Sequence, residues 1–409
     1  MNKKLAVRRY GMLGFLTLLY TFSFAQSPPS STSKSSAEPF TLKDGDRVVF
    51  LGNSLMENDL THGYLELVLT TRWPGRNVTF RNLGWSGDNV FGDARSYFTN
   101  PPTPYELLMK QLTDAQPTVV FVAYGGVEAQ EGEAGLPRFT EGLNKLLDKI
   151  GELGAKAVLL SPIPVLSSIK TTQRNDVLGR YATAIAAVAA ERGARYVDVF
   201  NPVLEIQKQI TITDNDIHLN EAGYHHLAAA LEKGLGLSAR SEVVVLDYAR
   251  KSTSSPNARL SAIHQKTGAL KFTLDEKYLP LSASDGSTSA SGQVLRITGL
   301  DKGYYTLTAE GTLVAAASAK QWAEGVNIRQ GPSFSQADRL RNLIQKKNDI
   351  FFHQYRPHNR TYIVGFRAYE QGRHAEGLKE LGLIVTWLEG QIALNRMPTP
   401  RTYELTPLK

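Results

Sequence analysis

The chain has 409 residues, of which 42% are hydrophobic, so it is long enough for one large α/β domain with an additional region and is unlike a disordered protein. Its formal net charge of +7 includes four basic residues within the first nine positions, in a segment that we expect to be cleaved, so the mature chain carries +3. This charge, without a block of like charges, gives no reason to expect a nucleic acid as partner. The lack of cysteine excludes disulfides, thiolate metal sites and lipid attachment through cysteine.

The N-terminus has the pattern of a secretory signal. An apolar run over residues 12–24 ends near the small residues Ser23 and Ala25, and the basic start consists of Lys3, Lys4, Arg8 and Arg9. The apolar run is well short of the roughly 20 residues that span a bilayer, which favours a cleaved signal over a membrane anchor. We therefore expect a signal peptide over 1–25, a flexible Ser/Pro-rich linker over 26–39, and export to the periplasm or the medium without stable membrane insertion.

From residue 40 onward, short valine-rich runs alternate with segments of helical length. The apolar runs predict strands at 47–51, 78–82, 118–124, 157–161 and 195–199. The intervening segments predict helices at 60–73, 104–114, 136–153, 175–192 and 221–233. Continuous apolar strands are typical of a sheet covered on both faces, and strands alternating with helices imply a parallel sheet with right-handed crossovers. This pattern predicts an α/β domain over 40–240.

Beyond residue 241 the pattern changes to a small β unit followed by helices. Short strands are predicted at 269–274, 294–297, 304–309 and 312–316, and we expect antiparallel hairpins. Helices are predicted at 335–352 and 380–394, so that residues 241–409 form a β plus helical region that packs on the main domain. The aromatic and basic stretch at 351–358 is interpreted as packing at a helix end, because aromatic runs are more often buried than ligand-binding.

Two segments of the α/β domain carry polar groups suited to nucleophilic catalysis. Ser54, in the sequence Gly52-Asn53-Ser54-Leu55, follows the first strand, and ligands of open parallel sheets bind at the carboxyl ends of strands. By itself this serine is also what a turn or a helix cap would contain. An acid-rich turn over 213–220 holds His218 just before the last helix of the domain. A histidine there can take the proton of a serine while a carboxylate orients its far nitrogen.

From about residue 44 to 235 the sequence resembles the SGNH (GDSL-like) hydrolases, whose four motif blocks occur here in order. Gly52 to Leu55 matches the Gly-Asp-Ser-Leu block with Asn53 in the aspartate position, residues 82–88 match the glycine block, and residues 125–128 and 215–218 match the other two. The resemblance implies a flavodoxin-like three-layer α/β/α domain with a parallel sheet. It also implies that Ser54 is the nucleophile, that His218 is its base, and that the backbone N–H groups of Gly87 and Ser54 stabilise the oxyanion.

The sequence departs from the family pattern at two functional positions. Val127 stands where the family has an asparagine that donates to the oxyanion, so either the hole lacks a donor or another residue supplies one, for which we consider Asn89. Asn215 stands where the family has the aspartate three residues before the histidine, with Asp214 and Asp216 on either side. Because residues four apart meet in a helix-like turn, we expect Asp214 to orient His218 and Asp216 to be solvated or to cap the turn.

The resemblance implies an exported serine esterase that hydrolyses carboxylic esters, in particular O-acetyl esters on a small molecule or polysaccharide, through an acyl-enzyme. We expect no metal and no other cofactor, since no histidine and carboxylate cluster has ligand spacing and no phosphate-binding glycine pattern follows a strand. Two alternatives remain open. A lipid or general carboxyl-ester hydrolase would need an apolar acyl pocket, and a non-catalytic glycan-binding descendant is favoured by Val127 and Asn215.

Overall fold

The central feature of the fold is a parallel sheet of five strands. The computed structural model describes residues 39–95, 102–166, 172–238, 240, 244–248, 252–254, 258–266, 269–281, 293–356 and 375–408. The expected signal peptide and nearly all of the expected linker lie outside these residues, whereas Pro39–Lys409 form one compact unit. The predicted domain boundary at 240/241 stays a prediction.

The parallel sheet confirms the predicted fold class. Its strands are β1 (Arg47–Gly52), β2 (Thr79–Asn82), β3 (Val119–Ala123), β4 (Lys156–Leu160) and β5 (Arg195–Val197). They pair in the order β2-β1-β3-β4-β5, which is the flavodoxin-like order. Side chains alternate between the two faces of a strand, so Val48 and Phe50 of β1 lie in one core cluster while Val49 and Leu51 lie in another. Both faces of the sheet are therefore covered.

The helices of this region follow the predicted order, with one error. They are α1 (Ser54–His62), α2 (Tyr64–Arg72), α3 (Pro104–Asp114), α4 (Leu136–Glu152), α5 (Thr172–Arg192), α6 (Phe200–Ile206) and α7 (Glu221–Gly234). The single helix predicted over 60–73 is wrong, because Gly63 adopts a left-handed φ of +71° and ends α1 with its N–H donated to Asp59 O. The Asp59 carboxylate then accepts from the N–H of Tyr64, at 3.0 Å, and begins α2. The short α6 was not predicted.

The C-terminal region contains two further sheets. Its strands are β6 (Val244–Asp247), β7 (Ser252–Ser254), β8 (Ala258–Lys266), β9 (Ala269–Glu276), β10 (Gln293–Thr298), β11 (Tyr304–Ala309), β12 (Thr312–Ser318), β13 (Val326–Ile328) and β14 (Arg401–Pro407). One sheet has the order β13-β10-β6-β7 and the other β12-β11-β14-β9-β8. The predicted strands β11 and β12 form an antiparallel hairpin, and β9 forms another with β8, which was not predicted. β6 and β10, in contrast, pair in parallel. The unpredicted β14 lies between β11 and β9, so the end of the chain completes this sheet.

The helices of the C-terminal region are α8 (Ala319–Glu324), α9 (Pro332–Tyr355) and α10 (Ala375–Asn395), and α9 packs against the α/β layers. The buried Lys347 of α9 donates to both carboxylate oxygens of Glu66, at 2.8 and 2.6 Å, and to Phe80 O at 3.0 Å. Burial raises the pKa of Glu66 and lowers the pKa of Lys347, while the attraction between them opposes both shifts. In the described part of the chain, no helix is long and apolar enough to cross a membrane.

Candidate active site

Ser54 lies at the carboxyl edge of the parallel sheet, at the first position of α1. β1 ends at Gly52, where a Cβ atom would lie 2.6 Å from the carbonyl oxygen of Ala123 on β3, so only glycine fits. Asn53 caps α1, because its Oδ1 accepts from Leu55 N at 3.1 Å. This turn from strand into helix holds Ser54 half-buried at the edge where ligands of such sheets bind.

Ser54 and His218 line the same cavity, which has a volume of about 620 Å³. Its walls come from the turn after β1, the loops after β3 and β4, the start of α5 and the turn before α7. Within the described residues, no hydrogen bond joins Ser54 Oγ to His218, and catalytic hydrogen bonds are often long in ligand-free enzymes. The residues of the cavity wall are Asn53, Ser54, Leu55, Asn58, Gly126, Val127, Ala129, Gln130, Gly132, Ile163, Pro164, Val165, Gln173, Arg174, Val177, Leu178, Asp216, Ile217, His218, Leu219 and Tyr224.

The imidazole of His218 is held by the side-chain amide of Asn215. Asn215 Oδ1 accepts from the backbone N–H of His218 at 2.8 Å and from that of Ile217 at 3.2 Å, which closes a tight Asx-type turn. Because these two donors occupy Oδ1, the atom that faces His218 Nδ1 at 3.2 Å is the amide nitrogen. The residue that stands in the family's aspartate position is thus the residue that contacts the ring.

This contact has a chemical consequence for the base. An amide N–H that donates to Nδ1 selects the neutral imidazole with its proton on Nε2, since Nδ1 must then be an acceptor. A general base needs the opposite form, in which Nε2 is free to take the proton of the serine. In a serine protease, replacing the orienting aspartate by asparagine lowers turnover by about 10,000-fold. The geometry at Asn215 therefore opposes rapid catalysis.

Within the described residues, neither flanking acid forms a hydrogen bond with His218 Nδ1, which is contacted by Asn215. Asp214 Oδ1 accepts from the side-chain amide of Asn220 at 3.3 Å, and the expectation that Asp214 orients His218 stays a prediction without a hydrogen bond to support it in the described residues. The reason is that the segment closes as a turn around Asn215 instead of forming a helix-like turn. Asp216 lines the cavity with an exposed side chain and a left-handed φ of +61°.

The loop after β2 carries the residues predicted to complete the oxyanion hole. Gly84 packs directly on α1, because a Cβ atom there would lie 2.2 Å from Glu57 N. Gly87 is exposed, has a φ of +78°, and is not among the described residues that line the cavity. Below it, the buried Asp88 accepts from Arg95 Nε and Tyr124 OH, both at 2.8 Å. The oxyanion role of Gly87 stays a prediction.

Two other residues considered for the oxyanion hole provide no side-chain donor at the cavity wall within the described residues. Asn89 Nδ2 donates to Asp93 Oδ2 at 2.7 Å, and Asn89 Oδ1 accepts from Phe91 N and Asp93 N, so its amide is engaged within its own loop. Val127 lines the cavity with an apolar side chain. Asn89 is not among the described residues that line the cavity, and its part in the oxyanion hole stays a prediction.

Contacts from α9 that the sequence did not predict hold the loop after β2. Tyr355 OH donates to Gly84 O at 2.8 Å, and Arg356 Nη1 donates to Glu57 Oε1 at 3.0 Å. The Arg356 guanidinium also lies 3.7 Å from the centre of the Trp85 ring. The aromatic stretch at 351–358 thus packs on the main domain as far as Arg356, and residues 357 and 358 lie outside the described residues. The unusual aromatic and basic composition of residues 351–358 is the only sequence signal that pointed to a contact with the main domain.

Residues 50–226 match the model of the GDSL-like Lipase/Acylhydrolase family. Among solved structures, a gut microbial diltiazem-metabolizing enzyme has a TM-score of 0.67 and 18% identity, over 90% of this chain and 99% of that chain. A catalytic mutant of an acetylxylan esterase from Geobacillus stearothermophilus has a TM-score of 0.39 and 17% identity, over 49% of this chain and 98% of its own. An α/β hydrolase from the metagenome of Lake Arreo, Spain, has a TM-score of 0.39 and 18% identity, over 48% and 97%. No curated protein matches the chain significantly.

Proposed function

We propose, because residues 50–226 belong to the GDSL-like lipase/acylhydrolase family, that this chain is a serine esterase whose nucleophile is Ser54 and whose base is His218. The observation that carries the proposal is that Ser54 and His218 lie in the wall of the same cavity. Both residues line one cavity at the carboxyl edge of the parallel sheet, where Ser54 begins a helix and His218 precedes another. Ester hydrolysis is the activity of the family, and the particular residues and substrate are our inference.

The reaction would proceed through an acyl-enzyme. Ser54 Oγ attacks the ester carbonyl while His218 Nε2 takes its proton, and the protonated ring then gives that proton to the departing alcohol. Water, activated in the same way, releases the acid. Because Asn215 favours the ring form with the proton already on Nε2, the first step requires the other tautomer, and we expect slow turnover.

The cavity wall supports a short acyl group and a polar alcohol. The wall includes apolar residues at 163–165 and Val177, and polar residues that are Asn58, Gln130, Gln173 and Arg174. A long acyl chain would need a continuous apolar pocket, whereas a sugar needs hydrogen-bonding side chains around it. We therefore propose that the substrate is an O-acetyl ester of a carbohydrate.

The decisive experiment is labelling of the purified mature protein with a fluorophosphonate probe, alongside hydrolysis of an aryl acetate. Both are expected from the wild type and from Ser261→Ala, an exposed serine on β8, and both should be absent from Ser54→Ala. Equal labelling of Ser54→Ala would refute the assignment of the nucleophile.

A chain-length series tests the substrate. Aryl acetate should be hydrolysed faster than aryl decanoate, and acetate should be released from acetylated xylo-oligosaccharides. A preference for the decanoate would instead support a lipid or general carboxyl-ester hydrolase.

A non-catalytic glycan-binding protein is the second candidate, and the Asn215 amide at His218 favours it. It predicts no labelling of Ser54 together with measurable binding of an acetylated oligosaccharide by calorimetry. Labelling of Ser54 would exclude it.

We also propose that the chain is exported, on the signal pattern of residues 1–25. Expression of the full chain in a bacterial host should give a mature protein outside the cytoplasm whose N-terminal sequence begins at Gln26. A cytoplasmic protein that retains residues 1–25 would contradict this proposal.

A further inference from the structure

The proposed reaction needs a hydrogen-bond donor that the predicted oxyanion residues do not supply. Acyl transfer is accelerated by donors aimed at the position where negative charge develops on the carbonyl oxygen. Val127 has no side-chain donor, Asn89 donates to Asp93, and Gly87 is not among the described residues that line the cavity. The backbone N–H of Ser54, at the first turn of α1, can donate to the carbonyl oxygen. None of these three residues adds a side-chain donor beside it.

Asn53 has an amide nitrogen in the required place. The residue is only 8% exposed, and it lines the cavity next to Ser54. Leu55 N donates to Asn53 Oδ1 at 3.1 Å, so the orientation of the amide is set and its nitrogen points away from the helix. Asn53 Nδ2 lies 3.4 Å from the position that a Cβ atom on Gly126 would occupy, which directs it to the loop that carries Val127.

The Asn53 nitrogen is available for a ligand. Within the described residues it donates no hydrogen bond, whereas the oxygen of the same amide accepts from Leu55 N as the cap of α1. Because Asn53 lines the cavity, a side-chain donor on that wall can form a hydrogen bond with a bound ligand. Asn53 is the residue immediately before the proposed nucleophile, so a carbonyl attacked by Ser54 Oγ would lie within its reach.

We propose that Asn53 Nδ2 is the side-chain donor of the oxyanion hole, a role that rests on the proposed esterase function. As the bond between Ser54 Oγ and the acyl carbon forms, the carbonyl π electrons move to the oxygen, and Asn53 Nδ2–H and Ser54 N–H donate hydrogen bonds to it. No proton is transferred by Asn53, and the serine proton goes to His218. The amide of Asn53 thus replaces the amide that is missing at Val127. The family pattern has an aspartate at the first of these positions and an asparagine at the second.

The test is a double-mutant cycle measured with an aryl acetate. Asn53→Asp keeps an Oδ1 acceptor for Leu55 N and replaces the donor by an acceptor, and aspartate caps helices as well as asparagine does. We expect kcat to fall by about 100- to 1000-fold with little change in KM and in the melting temperature. Val127→Asn alone should change kcat by only a few-fold, whereas the pair Asn53→Asp and Val127→Asn should recover most of the lost turnover.

A second variant separates the lost donor from the added charge. Asn53→Ser retains a capping hydroxyl but is too short to reach the oxyanion, so we expect the same loss of kcat without a new charge. Full activity in both Asn53→Ser and Asn53→Asp would overturn the role of Asn53. The role would also be overturned if the pair Asn53→Asp and Val127→Asn were no more active than Asn53→Asp alone. If the wild type hydrolyses no more ester than Ser54→Ala, the proposed function fails and this inference fails with it. If the wild type is active and the Asn53 variants are equally active, this inference alone fails.

Discussion

The substitution Asn215→Asp isolates the interaction that sets the tautomer of His218. Asn215 Oδ1 accepts from His218 N at 2.8 Å and from Ile217 N at 3.2 Å, while Nδ2 lies 3.2 Å from His218 Nδ1. An aspartate has the same shape, so it retains both backbone hydrogen bonds and changes only the donor that faces Nδ1 into an acceptor. We expect the neutral ring then to carry its proton on Nδ1, which frees Nε2 to take the proton of Ser54.

The size of the effect follows from the exposure of the pair. The reverse change in a serine protease lowers turnover by about 10,000-fold, which corresponds to about 5 kcal/mol of transition-state stabilisation. Asn215 is exposed and His218 is half-buried, so water competes for both ring nitrogens and screens the new carboxylate. We therefore expect kcat for an aryl acetate to rise by about 100-fold.

The assay is steady-state hydrolysis of the aryl acetate together with the rate of fluorophosphonate labelling of Ser54. The matched control is Thr211→Asp, which adds the same charge at an exposed residue that precedes the turn and is not among the described residues that line the cavity. Both rates should rise in Asn215→Asp and stay near the wild-type values in the control. An unchanged or slower Asn215→Asp enzyme, or an equal rise in the control, would refute the argument from the tautomer.

Three further predictions concern charged residues. Asp214→Ala and Asp216→Ala should each retain most of the hydrolysis of an aryl acetate, because neither carboxylate contacts His218 Nδ1, and a loss of about 1000-fold in Asp214→Ala would restore it as the orienting acid. Lys347→Met should lower the free energy of unfolding in urea by about 3 to 5 kcal/mol, since Glu66 would be left buried without its cation, and a loss under 1 kcal/mol would contradict the pairing. Burial raises the pKa of Glu276 from the ordinary value of 4.5 to about 7, so the folded protein binds this proton more tightly than the unfolded chain does and loses stability as pH rises from about 4.5 to 7. Glu276→Gln should remove this loss, so its free energy of unfolding, compared with that of the wild type, should increase by about 3 kcal/mol between pH 4 and pH 8. If urea unfolding gave the same difference between the two proteins at both pH values, the prediction would be contradicted.

The sequence predicted the α/β region because its signals are local. Valine-rich runs between amphipathic segments identified all five strands of the parallel sheet, and the position of Ser54 directly after the first strand placed it at the carboxyl edge. His218, before the last helix of this region, was placed at the same edge in the same way. The break between α1 and α2 was missed, since a glycine inside a helical pattern is often tolerated and only the left-handed φ of Gly63 shows that the helix ends there.

Contacts between distant segments were not predictable in this way. β14 pairs with β9 and β11, about 100 to 130 residues earlier in the chain, and its few residues have no pattern that specifies these partners. The same holds for Tyr355 and Arg356, which contact the loop after β2 from about 270 positions away. Pairings of this kind depend on how the layers pack, because each residue pattern is compatible with several partners.

The sequence by itself determined the candidate residues of the site, and the tertiary structure decided the hydrogen bonds of their polar atoms. Asn53, Asp214 and Asn215 are all visible in the motifs, but the direction of a hydrogen bond depends on which donors lie around an amide. Backbone N–H groups donate to the side-chain oxygen of each asparagine. The nitrogen of Asn215 therefore faces His218, and the nitrogen of Asn53 lies on the other side of its amide from the cap of α1. Those backbone groups are placed only when the turns have formed, so the choice between donor and acceptor at this site was made by the fold.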